Sequence, residues 1–112
     1  GKTSRDFCYI ENAIQMNILA ATAKDNKKNE VYNVAVGDKT NLNELYLIIK
    51  KALTDNGLDV QVKPTFRDFR VGDVRHSQAD INKARKNLGY SPEFSAVDGI
   101  NQVISWYQNH LH

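Results

Sequence analysis

The order of elements legible in this sequence predicts a small mixed α/β domain with about three strands and four helices. Two observations carry the expectation. In the first two thirds of the chain, short β-branched and aromatic runs alternate with longer segments whose apolar residues recur at helical spacing. The remainder closes with two helical segments in succession, and capping residues and glycines stand where helix ends are expected. At 112 residues the chain suits one domain, spanning 1–112.

Residues 7–10 (FCYI) read as a first strand. Asn12 then stands as a helix N-cap with Gln15 as its reciprocal partner, and Ile14, Ile18 and Leu19 continue the helix to about Ala23. Residues 24–29 form a polar turn. Residues 31–36 (VYNVAV) read as a second strand, ended by Gly37 and Asp38. Asn41 caps the next helix, with Glu44 at the capping-box position. Leu42, Leu45, Ile49, Ala52 and Leu53 make its apolar stripe, and Asn56-Gly57 ends it. Val60, Val62, Pro64 and Phe66 alternate with polar residues as a third strand. An irregular charged segment follows over 66–80. Asp80 caps a short helix over 81–88, closed by Gly89. Residues 90–94 connect to a last helix, opened by Ser95 with Asp98 near its start and carrying Val97, Ile100, Val103, Ile104 and Tyr107 on its apolar side. Three strands make a small sheet, which should need more strands or a neighbouring domain to cover its faces.

Composition narrows the function classes. Apolar residues make up 41% and charged residues 25%, ordinary for a soluble globular protein. A net charge of +2 argues against nucleic-acid wrapping or a membrane surface, so any anion site must come from local clustering. No apolar run reaches the roughly 18 residues of a membrane span. The single cysteine, Cys8, allows no internal disulfide and fits a reducing, cytoplasmic compartment. It lies in an apolar run and reads as an inert buried thiol. The chain opens with Gly1-Lys2-Thr3 rather than Met, in the manner of a loop interior, and so is expected to be a piece of a longer protein.

Several motifs fail on context. Gly1-Lys2-Thr3 matches the tail of a phosphate-binding P-loop, but the glycine-rich half is absent and a strand follows instead of a helix. Tyr46 and Lys50 have the one-turn spacing of a catalytic Tyr-Lys pair, but no dinucleotide fingerprint lies upstream. His76, His110 and His112 form no metal set with Cys8 or with paired carboxylates.

The charged segment, FRDFRVGDVRHSQAD, holds the stronger signal. Guanidinium forks match phosphate oxygens two at a time, and Arg67, Arg70 and Arg75 lie here, with Arg5 ahead of the first strand. Gly72 lets backbone approach a ligand closely, and Asp73 can accept from sugar hydroxyls. These residues could grip the phosphates and ribose of a nucleotide. Arginine and aspartate in one loop more often form surface ion pairs, Arg70 with Asp73 among them, as in a structural or interaction domain. A free-standing nucleic-acid module is the third reading, using Arg67, Arg70, Arg75, Arg85 and Lys86 with Phe66 and Phe69 as stacking partners.

Four stretches, in order, resemble one family: SRDFCYIENAIQMNILAAT (4–22), EVYNVAVGDKTNLNELYLII (30–49), RVGDVRHSQADINKARKNLGYSP (70–92) and the closing SWY (105–107). Together they resemble the C-terminal part of the extended short-chain dehydrogenases/reductases, NAD(P)-binding Rossmann-type enzymes. The nearest subgroup is the UDP-N-acetylglucosamine 4-epimerases, related to UDP-glucose 4-epimerases. The resemblance implies an isomerase that oxidises the sugar at C4 with NAD, turns the 4-keto sugar and reduces it on the other face. It implies that an N-terminal Rossmann domain, absent from this chain, holds NAD and the catalytic residues, and that this chain binds the UDP-sugar. Arg5 and Arg70 become pyrophosphate ligands and Asp73 a ribose ligand. Phe7 takes an aromatic position near the nucleotide, and His76 lies nearby. Asn12 and Asp80 become caps, and Arg67, Asp68 and Arg75 ion pairs at the base of the loop. The chain alone is expected to bind no cofactor, to be inactive, and to self-associate through apolar surface left without its partner domain.

Overall fold

The computed structural model describes residues 1–110. Its elements are β1 (Ser4–Arg5), α1 (Ile10–Ala21), a 3-10 turn (Asp25–Lys27), β2 (Thr40–Asn41), α2 (Leu42–Asp55), α3 (Asn82–Leu88) and α4 (Ala96–His110). The mixed α/β class and the four helices match the sequence expectation. β1 and β2 pair antiparallel, Ser4 opposite Asn41 and Arg5 opposite Thr40. Ser4 also makes an isolated parallel bridge to His76. Three distant parts of the chain therefore meet at Ser4.

The three expected strands are not formed. Residues 7–9 run straight into α1, whose N-cap is Tyr9 in extended conformation. Residues 31–36 and 60–66 have no ladder partner among the described residues, and a strand exists only where a second backbone lies alongside it. Side chains take over part of the backbone pairing. The Tyr90 hydroxyl donates to Ala35 O at 2.6 Å and Lys83 Nζ to Val31 O at 3.0 Å. The Asp6 carboxylate accepts from the N–H groups of Val36, Gly37 and Ala79 at 3.0, 2.9 and 3.3 Å. Along 31–36 Ala35 is buried while Val31, at the same parity, is 83% exposed, so the segment shows no strand-like alternation of faces. In the third segment, Val62 O accepts from the Tyr46 hydroxyl at 2.8 Å.

Helix ends follow local chemistry closely. Asn41 and Glu44 make both halves of the expected capping box at 2.8 and 2.9 Å. Ser95 and Asp98 make the same reciprocal pair at the start of α4. Gly57 and Gly89 sit just past α2 and α3 with φ of +86° and +68°, the left-handed region that favours glycine. The Asp80 carboxylate accepts from Asn82 N–H at 2.9 Å, so it does serve the start of α3, although that helix begins one residue later than expected.

Asn12 is not a cap. It lies inside α1, wholly buried, and its amide is turned onto the connector at 90–94. Nδ2 donates to Phe94 O at 2.7 Å, and Oδ1 accepts from Glu93 and Phe94 N–H at 3.0 and 3.1 Å. Gln15, one turn on, exchanges two hydrogen bonds with the backbone of Ser91. These two amides bind the connector much as a neighbouring strand would.

Two packing centres result. One gathers Met16, Ala35, Ile81, Ala84 and Tyr90, with Leu19, Tyr32, Ala79 and Leu88 against it. In the other, α2 packs on α4 around the buried Ala52, beside an apolar hollow lined by Phe7, Leu45, Ile100 and Val103. Among the described residues no helix is long and apolar enough to cross a membrane, and no cluster of His, Cys, Asp or Glu could hold a metal ion. His112 lies outside the described residues.

Candidate functional site

The charged segment is ordered by a tight turn. Asp73 N–H donates to Arg70 O at 3.2 Å, and Gly72 has φ of +82°. Positive φ at the third position is the requirement of a type II turn, which glycine meets without strain. After the turn, the chain lies beside β1: Ser4 N–H donates to Arg75 O at 2.8 Å and Ser77 N–H to Ser4 O at 3.1 Å. This register brings Arg5 to Asp73.

The Arg5 guanidinium is held at several points. Nη2 donates to Asp73 Oδ1 at 2.9 Å. Nη1 donates to Ser4 O at 2.8 Å and to Arg75 O at 3.3 Å. Asp73 Oδ1 also accepts from Val74 N–H at 2.9 Å. The two side chains remain 30% and 40% exposed, so solvent screens the pair and it adds little to stability. Its consequence is orientation. The Ser4 hydroxyl lies 2.8 Å from His76 Nδ1, anchoring that ring beside β1.

Arg70 and Asp73 share the wall of a cleft of about 590 Å³, also lined by Thr3, Asn43, Phe66 and Arg67. A second hollow, of about 310 Å³, shares Phe66, Arg67 and Phe69 with it and adds Arg75 and His76. Arg75 covers the Phe69 ring, with Cζ 4.4 Å from the centroid, a cation–π contact. No ion pair joins Arg67, Asp68 or Arg75 among the described residues, contrary to the expectation for the base of the loop. Asp73 pairs with Arg5 and not with Arg70, so the purely structural Arg70–Asp73 pair is not formed.

Of the residues singled out in the sequence, Arg5 meets Asp73 beside β1, His76 is bonded to Ser4, and Arg70 lines the cleft with Asp73; Arg5 lines neither hollow. Phe7 does not join them. Its ring lines the separate apolar hollow between α2 and α4. Tyr46 spends its hydroxyl on Val62 O, and Lys51, not Lys50, forms the ion pair on that helix, with Asp55 at 2.7 Å. Ser4 and Asp6 were missed. Neither stands in a recognisable pattern, yet Ser4 fixes His76 and Asp6 ties β1 to residues 36, 37 and 79. The Cys8 thiol, half-buried, is pushed up by desolvation and by the nearby Asp6 carboxylate, with hydrogen bonding to Tyr90 pulling partly the other way. That fits an unreactive thiol.

The described residues offer no glycine-rich turn leading from a strand into a helix. β2 passes directly into α2, and β1 reaches α1 through Asp6, Phe7, Cys8 and Tyr9. These residues do not fit the cradle of a dinucleotide.

Comparison with known proteins agrees with this arrangement. Residues 1–103 match the family model described as GDP-mannose 4,6 dehydratase. A Methanocaldococcus jannaschii protein provisionally named a UDP-glucose 4-epimerase is 36% identical over 109 residues, covering 97% of this chain and 32% of that protein. The UDP-glucose 4-epimerase of Thermotoga maritima, solved with UDP-glucose, is similar with a TM-score of 0.86 at 29% identity, over 100% of this chain and 34% of that one. A UDP-glucuronic acid 4-epimerase of Bacillus cereus, solved with UDP-glucuronic acid and NAD, has a TM-score of 0.81 at 26% identity, over 97% and 33% of the two chains. The chain thus spans about one third of the length of the relatives it matches. On the extent of the family match, the chain belongs to the GDP-mannose 4,6 dehydratase family and corresponds to the C-terminal part of an extended short-chain dehydrogenase/reductase epimerase.

Proposed function

We propose that this chain is the unit that grips the nucleoside diphosphate of a UDP-sugar, UDP-glucose or its N-acetylated counterpart, in an NAD-dependent 4-epimerase. The observation that carries the reading is a convergence. Arg5 pairs with Asp73, 68 positions away, and Asp73 and Arg70, from one turn, line the same cleft. Hydrogen bonds to Ser4 O, Arg75 O and Asp73 use three of Arg5's N–H groups and leave Nε–H and one Nη2 hydrogen for a ligand. Arg70 makes no ion pair among the described residues and presents a whole fork. Two such forks suit the oxygens of a diphosphate. Asp73 Oδ2, which accepts no hydrogen bond among the described residues, suits a ribose hydroxyl, and His76 borders the adjoining hollow.

Binding and orientation are the work of these residues. Redox chemistry at C4 belongs to NAD and to a dinucleotide-binding domain that acts with this one, and no proton or hydride step is assigned to this chain. A nucleotide-sugar substrate and a single cysteine fit a reducing, cytoplasmic setting. Phe7, which lines a separate apolar hollow, is left out of the grip.

The test is Arg70→Ala in the full-length enzyme, with UDP affinity measured by calorimetry. Loss of a charge-assisted contact should weaken UDP about tenfold or more. Unchanged affinity would overturn the reading. The 112-residue chain, mixed with NAD and UDP-N-acetylglucosamine, should give no C4 epimer; its appearance would also overturn the proposed division of labour.

A further inference from the structure

The contact between Arg5 and Asp73 creates a problem for any bound diphosphate, and the problem points to selectivity. A carboxylate 2.9 Å from Arg5 Nη2 offsets part of the charge that a phosphate would seek. A phosphate approaching Arg5 must also come close to that carboxylate, and like charges repel. The carboxylate cannot simply swing away without loss, because Oδ1 also accepts from Val74 N–H at 2.9 Å and so is tied to the turn. A bare diphosphate has nothing to offer Asp73 in return. A nucleoside diphosphate does: its ribose carries hydroxyl donors that can reach the unoccupied Oδ2 and stabilise the charge left behind.

We infer that Asp73 is a specificity-determining residue that rejects inorganic pyrophosphate and admits nucleoside diphosphates, by holding Arg5 unless a ribose hydroxyl compensates the carboxylate. This rests on the diphosphate-grip reading above and adds an opposing function to the residue's attractive one. Discrimination of this kind arises as much from an unfavourable contact with the wrong ligand as from a favourable one with the right ligand. It suits a binding site that must find nucleotide sugars among small phosphate anions.

The experiment uses the full-length enzyme and two ligands, UDP and inorganic pyrophosphate, titrated by calorimetry into wild type, Asp73→Asn and Arg70→Ala. Asparagine keeps an oxygen for Val74 N–H and Arg5 but removes the charge. Asp73→Asn should bind pyrophosphate about two- to five-fold more tightly, on the scale of one screened surface charge, and UDP about tenfold more weakly. A gain for one ligand with a loss for the other is a signature that local misfolding cannot produce. Asp73→Ser, also neutral, should shift pyrophosphate in the same direction and serves if the asparagine variant fails to fold. Pyrophosphate binding unchanged or weakened in the neutral variants, while UDP binding still depends on Arg70, would overturn the inference and leave the grip intact. If neither ligand depends on Arg70, the grip itself falls, and the inference with it.

Discussion

Asp6 shows how much one side chain can hold. Its carboxylate accepts three backbone N–H groups from two distant segments, and so it substitutes for a sheet where no ladder forms. Asp6→Ala would leave those donors without partners in a half-buried setting. The expected loss is about 3 kcal/mol, read as a lower urea midpoint with an unchanged slope. Tyr90 supplies a second residue-scale prediction. It is buried to 2% exposure, donates to Ala35 O, and desolvation, followed by the neighbouring Cys8 and Asp6, pushes its pKa up to about 12. The neutral phenol is the favoured form in the fold. Its stabilisation is therefore complete below the unfolded value near 10 and is lost as pH rises from about 10 to about 12. Unfolding measured across that window should show wild type losing roughly 2 kcal/mol more than Tyr90→Phe, which has no proton to release. Equal losses would mean that the phenol ionises as readily in the native state as in the unfolded chain. Arg70 and Asp73 stood out in the sequence because cationic forks, a glycine and an acceptor are packed together there without period; Arg5 and His76 were singled out through the family resemblance. Ser4 and Asp6 were not, since a serine or aspartate acquires its role only from the backbone that folding brings beside it.

Helices were the most legible elements. Their ends depend on contacts within four residues, so Asn41 with Glu44, Ser95 with Asp98, and the glycines at 57 and 89 all fell where the sequence indicated. Asn41→Ala should cost about 1 kcal/mol, measurable as a drop in melting temperature, because Glu44 N–H loses its acceptor. Gly99 in α4 sets propensity against packing. Alanine would favour the helix by about 1 kcal/mol, but its Cβ would lie 2.7 Å from Tyr9 Cβ. Tyr9 has little room to yield, because its ring packs edge-on against Phe94 with centroids 5.1 Å apart. Gly99→Ala is therefore expected to destabilise by about 1–2 kcal/mol, the overpacking cost exceeding the propensity gain. A rise in melting temperature would show that α4 can shift. Strands were the least legible. The apolar run at 31–36 and the alternation at 60–66 signal extended chain, but pairing requires a second backbone, about which a local pattern carries no information.

At the scale of the whole molecule, the chain is open. Its radius of gyration is 16.8 Å, against about 13 Å for a compact domain of this length. Ile10, Ile14 and Ile18, on one face of α1, are 61%, 42% and 59% exposed, and Trp106 on α4 is 53% exposed. An apolar face of that kind favours association. Isolated at high concentration, the chain should self-associate in light scattering, and Ile14→Lys should reduce that association. A monodisperse monomer would show that these faces tolerate water. The sequence by itself determined the four helices and the caps of α2 and α4, because each is written in contacts between near neighbours along the chain. Only the tertiary structure decided that Arg5 meets Asp73, that Asn12 and Asp6 replace a sheet, and that Phe7 stands apart. Those outcomes depend on which segments lie side by side, and sequence spacing does not contain that distance.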